Sequence, residues 1–178
     1  MTTTGPLEPT AVAALLHSAA ATIHAELSAL PAPALTFHPA PGEWCAKEVL
    51  GHIIESEKRG FSGRIRIILT SEESPRLEGW DQDAVARARK DCERDWPALY
   101  HEFVQLRSAS VTQVAGLSPA DLTRGGHHPK VGFLTVDDLL HEWVHHDRNH
   151  IRQMLANVQT YAWPHMGNAQ RFSLPTPS

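Results

Sequence analysis

The chain has few of the features that mark several protein classes. Only two cysteines, Cys45 and Cys92, occur in 178 residues, and they lack C-x-x-C spacing. That is too few for a disulfide scaffold, so no structural disulfide is expected. No apolar run approaches the roughly 20 residues needed to span a bilayer. The opening MTTTGPLEPT has no basic region followed by an apolar stretch, so no secretory leader is expected either. These absences predict a soluble, cytoplasmic protein without membrane association. The 16 basic and 20 acidic residues are mixed along the chain, giving a formal charge of -4 without a block of either sign. Nothing there resembles the footprint of a nucleic-acid binder. Repeats, low-complexity segments and strand-like alternation are also scarce.

What the chain does have is helical periodicity. Residues 10–30 are rich in Ala and Leu and stop at Pro31 and Pro33. From Cys45 to about Leu69, Val49, Leu50, Ile53, Ile54, Phe61, Ile65 and Ile68 form one apolar stripe, with Gly60 and Gly63 as weak points. A short helical piece is expected over 83–93, then a third long helix from Pro97 to Ala115, with Asp95 placed to cap it. SPADL at 118–122 reads as one capped turn, and GGHHPKVG as a loop. Thr135 with Asp138 makes a capping box for a last helix running to about Val158. Hydrophobic content of 42% suffices for a real core. The expectation is all-α: one domain over 1–178, a four-helix bundle with long connecting loops and a core over about 8–160. The tail from 161 is expected to pack on the bundle or on a partner.

Twelve histidines are the compositional oddity, and four fall within HEWVHHDRNHIRQ, residues 141–153. His141, Glu142 and His145 match the H-E-x-x-H pattern of zinc proteases, while His146 and His150 form a second i, i+4 pair. A helical wheel separates them. With His141 at zero, Val136, Leu139, Leu140, Trp143, Val144, Ile151, Met154, Leu155 and Val158 lie between about 160° and 320°, the core face. His141 and His145 fall at about 0° and 40°, on the wet face, whereas His146 and His150 fall at about 140° and 180°, at the edge of the apolar stripe. On the second helix His52 borders its own stripe in the same way. His52, His146 and His150 therefore make a three-nitrogen set with open positions, the pattern of a catalytic metal.

Other residues carry weaker signals. Asp147, at about 240°, points into the core and requires partners; backbone groups or Trp44 are the expected donors. Glu142 and Glu55 lie about one turn from a histidine and are candidate catalytic bases or carboxylate supports for the ligating imidazoles. Cys45 reads as a small buried residue, Arg59 as a surface cation within reach of an anionic substrate, and His165, in the aromatic tail WPHMGNAQRF, as a distant further ligand.

Two stretches also carry a family resemblance. PGEWCAKEVLGHIIESE, residues 41–57, resembles the second-helix signature of the DinB/YfiT-like superfamily, a tryptophan ahead of the helix and a histidine about two turns inside it. HDRNHIRQM, residues 146–154, is similar to that family's H-D-x-x-H motif. The resemblance implies a four-helix bundle of unusual connectivity, often a homodimer, with one divalent metal held by His52, His146 and His150. Zinc, nickel, iron(II) and manganese all suit such ligands. Family members include thiol transferases, a mycothiol-dependent isomerase and metal hydrolases. The expected function is thus activation of a low-molecular-weight thiol or water for transfer to an electrophile or for hydrolysis. The alternative is a non-catalytic metal-binding or stress-related interaction bundle.

Overall fold

The computed structural model describes residues 5–174, so the first and last four residues of the predicted domain lie outside the described part. The long helices are α1 (Pro9–Ser28), α6 (Trp96–Ala115) and α8 (Val136–Ala162), with α3 (Ala46–Glu55) and α4 (Ser62–Thr70) joined through a π-turn at Ser56–Gly60. Short helices α2 (Ala32–Leu35), α5 (Gln82–Arg89) and α7 (Pro119–Leu122) sit in the connections. The predicted caps are present: Asp95 accepts from the Ala98 N–H at 3.3 Å, and Thr135 and Asp138 bond reciprocally. Each satisfies backbone donors that a helix start leaves unpaired.

α1 packs on α6 and α8, and α3 packs on the same two helices. Two apolar clusters give the directions. One joins Ile23 and Leu27 to Leu50, Ile53, Phe103 and Met154; the other joins Val12 and Leu16 to Ile65, Val114, Leu140 and Trp143. Chain numbering between the clusters therefore rises the same way in α1 and α8 and the opposite way in α3–α4 and α6. The second and third long helices run parallel, so the connection between them must return along the bundle, which accounts for its length. Each fully buried Leu, Ile or Val in these clusters contributes about 1.5–3 kcal/mol by leaving water.

Several sequence expectations require correction. The second helix is interrupted: the Phe61 N–H bonds to Ser56 O at 2.9 Å, a wide turn that carries Ser56 and Glu57 into the interior. The piece over 83–93 breaks at Lys90, whose left-handed φ of 51° separates α5 from a 3-10 turn at Asp91–Glu93. GGHHPKVG is a hairpin, with β1 (Gly125–His128) antiparallel to β2 (Gly132–Thr135). The Leu77 N–H bonds to His127 O at 2.9 Å and the His127 N–H to Pro75 O at 2.8 Å, so residues 75–77 flank β1. That approach explains Gly126, where a Cβ would press on Pro75 O and the Leu77 side chain. Leu155, expected in the core, is exposed.

The two cysteines are also joined, as a Cys45–Cys92 disulfide with Cα atoms 6.9 Å apart. Spacing of 47 residues concealed the contact. It arises because the 3-10 turn packs on α3 at Gly51, where any Cβ would collide with the Asp91 carboxylate.

Candidate metal centre

His52 lies on the last full turn of α3, and His146 and His150 lie one turn apart in the middle of α8. One ring nitrogen from each forms a set in which all atoms lie within 4.8 Å of one another. The Nε2 atoms of His52 and His146 are 3.0 Å apart, and Ser56 Oγ is 3.3 Å from the same His52 nitrogen. His150 Nδ1 faces Gln153 Oε1 at 2.9 Å. Because an amide oxygen only accepts, that bond places the proton on Nδ1 and leaves the His150 Nε2 lone pair free. His150 meets the other two rings edge-on, and aromatic walls flank the set, with Trp44 5.0 Å and a stacked Trp80 5.7 Å from His52, and Phe61 edge-on 5.1 Å from His146.

This environment favours neutral imidazoles. Burial, and then the neighbouring His150 and His146, lower the His52 pKa to about 3. Burial and then His146 lower that of His150. Three imidazoles aimed at one point are a poor arrangement for hydrogen bonds among themselves, since each lone pair needs a donor. They are a good one for a divalent cation, and the donor set fits that group. Among the described residues no fourth His, Cys, Asp or Glu joins the cluster. The open side faces a cleft of about 1030 Å³, with Arg64, Trp80, His128, Phe133 and Glu142 on its walls.

Behind the histidines is a buried polar layer between the two apolar clusters. Asp147, 1% exposed, accepts from both Arg107 Nη atoms, at 2.5 and 3.3 Å, and Arg107 also pairs with Glu57 at 3.0 Å and donates to Leu16 O at 3.0 Å. Burial alone would raise the Asp147 pKa, but the Arg107 charge together with hydrogen bonds from His146 and Arg107 outweighs it and holds the carboxyl below its ordinary value. Burial dominates at Glu57, whose pKa is raised. The layer ties α1, the π-turn, α6 and α8 together, with Asp147 3.9 Å from His146 Nδ1. The burial of Asp147 follows the sequence expectation; its partner does not. Trp44 instead offers its backbone carbonyl to Asn157 Nδ2, at 2.8 Å. Arg107 was overlooked, although it falls in the buried series Leu99, Phe103, Arg107, Ser110 and Val114 at helical spacing.

The remaining candidates separate clearly. Glu142 lines the cleft. Glu55 does not: it bonds Arg59 at 2.6 Å and Arg89 at 2.7 Å in an ion-pair cluster. Arg59 is spent in that pair, and His165 is exposed beside Tyr161, outside the histidine cluster. His145 is exposed, and His141 accepts the Leu7 N–H at 2.9 Å, so the H-E-x-x-H pair does not converge on the site. Gln153, which orients His150, was missed; its place three residues after that histidine was the available signal.

The fold and the cluster define a four-helix bundle built around a three-histidine centre. The model of the DinB superfamily matches residues 15–154, and the chain belongs to that family. No curated protein matches it. Among solved structures it is similar to YfiT from Bacillus subtilis, described as a probable metal-dependent hydrolase with an unusual four-helix bundle topology. The TM-score is 0.79 at 18% identity, over 92% of this chain and 94% of that one. A conserved protein from Enterococcus faecalis is similar at a TM-score of 0.62 and 12% identity, over 84% and 94% of the two chains. These likenesses establish the fold. None of the described helices is long and apolar enough to cross a membrane.

Proposed function

We propose that His52, His146 and His150 hold one divalent ion and that the chain is a metal-dependent enzyme acting on a small electrophile, with a low-molecular-weight thiol or water as nucleophile. The observation that carries this reading is the convergence of three histidine donors, joined by no fourth His, Cys, Asp or Glu among the described residues, on a large cleft. A structural site would be closed by a fourth protein ligand. An ion so held supplies a Lewis acid that brings the pKa of a bound water or thiol toward neutrality.

The chain's own residues supply the rest. Trp44 and Trp80 fix the His52 ring, and Gln153 fixes that of His150. Glu142, on the cleft wall, takes the nucleophile's proton in this reading. Arg64 lines the same cleft and supplies a cation for an anionic substrate group. A cleft of about 1030 Å³ has room for a thiol and an acceptor together as well as for a single hydrolysable substrate. Cytoplasmic location and assembly as a homodimer belong to the same proposal.

The test is to load the purified chain with zinc, nickel, iron(II) or manganese and to screen small thiols against electrophilic acceptors, with ester and amide hydrolysis in parallel. Turnover that requires the metal and disappears in His146→Ala supports the proposal. Equal, metal-independent rates in both proteins would exclude it.

A further inference from the structure

A second set of donors converges away from the cleft. His38 follows α2, Cys45 and Glu48 open α3, and Cys92 belongs to the 3-10 turn after α5. One donor atom from each lies within 4.8 Å of all the others. Glu48 Oε2 accepts from the Cys45 N–H at 2.9 Å and lies 2.9 Å from His38 Nε2, which is itself 3.8 Å from Cys92 Sγ. Cys45 is fully buried, Glu48 and Cys92 are partly buried, and His38 is exposed, so the group opens to solvent on one side.

We propose that reduction of the Cys45–Cys92 disulfide converts this group into a second metal site, for zinc or another thiophilic divalent ion. The two thiolates and the His38 imidazole are the ligands, and Glu48 is the fourth ligand or the carboxylate that orients His38. Two thiolates, one imidazole and one carboxylate are all established zinc donors. Cysteine Cα atoms 6.9 Å apart sit at the outer edge of disulfide geometry. The same separation suits two Zn–S bonds of about 2.3 Å at a tetrahedral centre, which set the sulfurs roughly 3.8 Å apart. Cys45 is the N-cap of α3, where unpaired backbone N–H groups and the helix dipole favour a thiolate.

The chemistry balances with a small thiol as reductant. Two RSH reduce the disulfide to two cysteine thiols and leave as RSSR, and capture of the ion then releases the two thiol protons. The disulfide and the metal use the same sulfur atoms, so each excludes the other. Both cross-link the start of the helix that carries His52 to the 3-10 turn. The second site depends only on its own four residues and stands whether or not the three histidines bind metal.

The test uses the full chain, oxidised or reduced with a non-chelating phosphine, equilibrated with cobalt(II) and then desalted. Reduced protein should carry one more cobalt per chain than oxidised protein and show an intense near-ultraviolet thiolate-to-cobalt band that oxidised protein lacks. Cys92→Ser should abolish the band, and His38→Ala, at an exposed position, should weaken cobalt binding by tenfold or more. Zinc should also slow alkylation of Cys45 and Cys92 in the reduced wild-type chain at least tenfold, a measurement that does not depend on any variant folding. Equal cobalt content without the band, alkylation unaffected by zinc, or a band that survives Cys92→Ser would overturn the site.

Discussion

His52 and His146 are 94 positions apart in the chain, yet their Nε2 atoms lie 3.0 Å apart at the floor of the cleft. Only one proton can bridge two such nitrogens, and the low pKa of His52 disfavours adding another. A divalent ion relieves the opposition of lone pairs and should therefore stabilise the fold as it binds. At a free zinc concentration 100 times Kd, binding contributes about 2.7 kcal/mol. For a chain of this length that raises Tm by roughly 5–10 °C. Thermal unfolding with and without zinc should show the rise in the wild type and its loss in His52→Ala. An equal rise in both would place the stabilising ion elsewhere.

Arg107 pairs with two buried carboxylates, Glu57 and Asp147. Removing it takes the guanidinium from both, and breaking a buried pair in this way costs about 3–5 kcal/mol. Arg107→Ala should lower the urea midpoint accordingly. Arg107→Lys should recover only part of the loss, because an ammonium cannot reach Asp147, Glu57 and Leu16 O with the geometry of a guanidinium fork. Loss of less than about 1 kcal/mol in Arg107→Ala would show that the layer contributes little to stability.

The same residues show what could be read from the chain and what could not. The order of helices and the stripe-edge positions of His52, His146 and His150 follow from periodicity, because a residue's angle on a helix fixes the face it presents; the two caps follow from residue type, and that the three histidines share one site was implied by the family resemblance. Asp147 was legible as buried for that reason. Its partner was not, since a wheel says nothing about which helix lies opposite, and the parallel run of α3–α4 and α6 is decided by packing of the whole bundle. The π-turn was only hinted at by Gly60 and Gly63. The hairpin was hidden because Gly125, Gly126, His127 and His128 have little strand propensity, and its pairing is fixed by long-range contacts with residues 75–77. Contacts such as Cys45 with Cys92 depend on where a loop lands, which local pattern does not encode.

The two glutamates singled out from the sequence should now behave differently. Glu142 lines the cleft, so Glu142→Gln should retain the metal while lowering kcat by about 10²-fold or more, the usual range for a lost general base. Glu55 holds Arg59 and Arg89 away from the cleft, so Glu55→Gln should leave kcat within about twofold and reduce stability. Steady-state kinetics with metal content measured on the same samples decides between the two. A large kcat loss in Glu55→Gln with wild-type activity in Glu142→Gln would reverse the assignment.

Acid should weaken the fold in a window set partly by Glu102. Burial alone would raise its pKa, but hydrogen bonds from Lys58, Arg89 and Arg94 outweigh this and hold it at about 2, against 4.5 for a free glutamate. Lys58 and Arg94 both approach it at 2.7 Å. A carboxyl whose pKa is lower in the folded chain than in the unfolded one binds fewer protons when folded. Its stabilising contribution is complete above about pH 4.5 and is lost as pH falls toward 2. Glu102→Gln should lower stability at neutral pH and flatten the decline between pH 4.5 and 2, measured by urea unfolding at a series of pH values. Parallel curves for wild type and variant across that window would mean that the three cations bind Glu102 no better in the folded chain than water does.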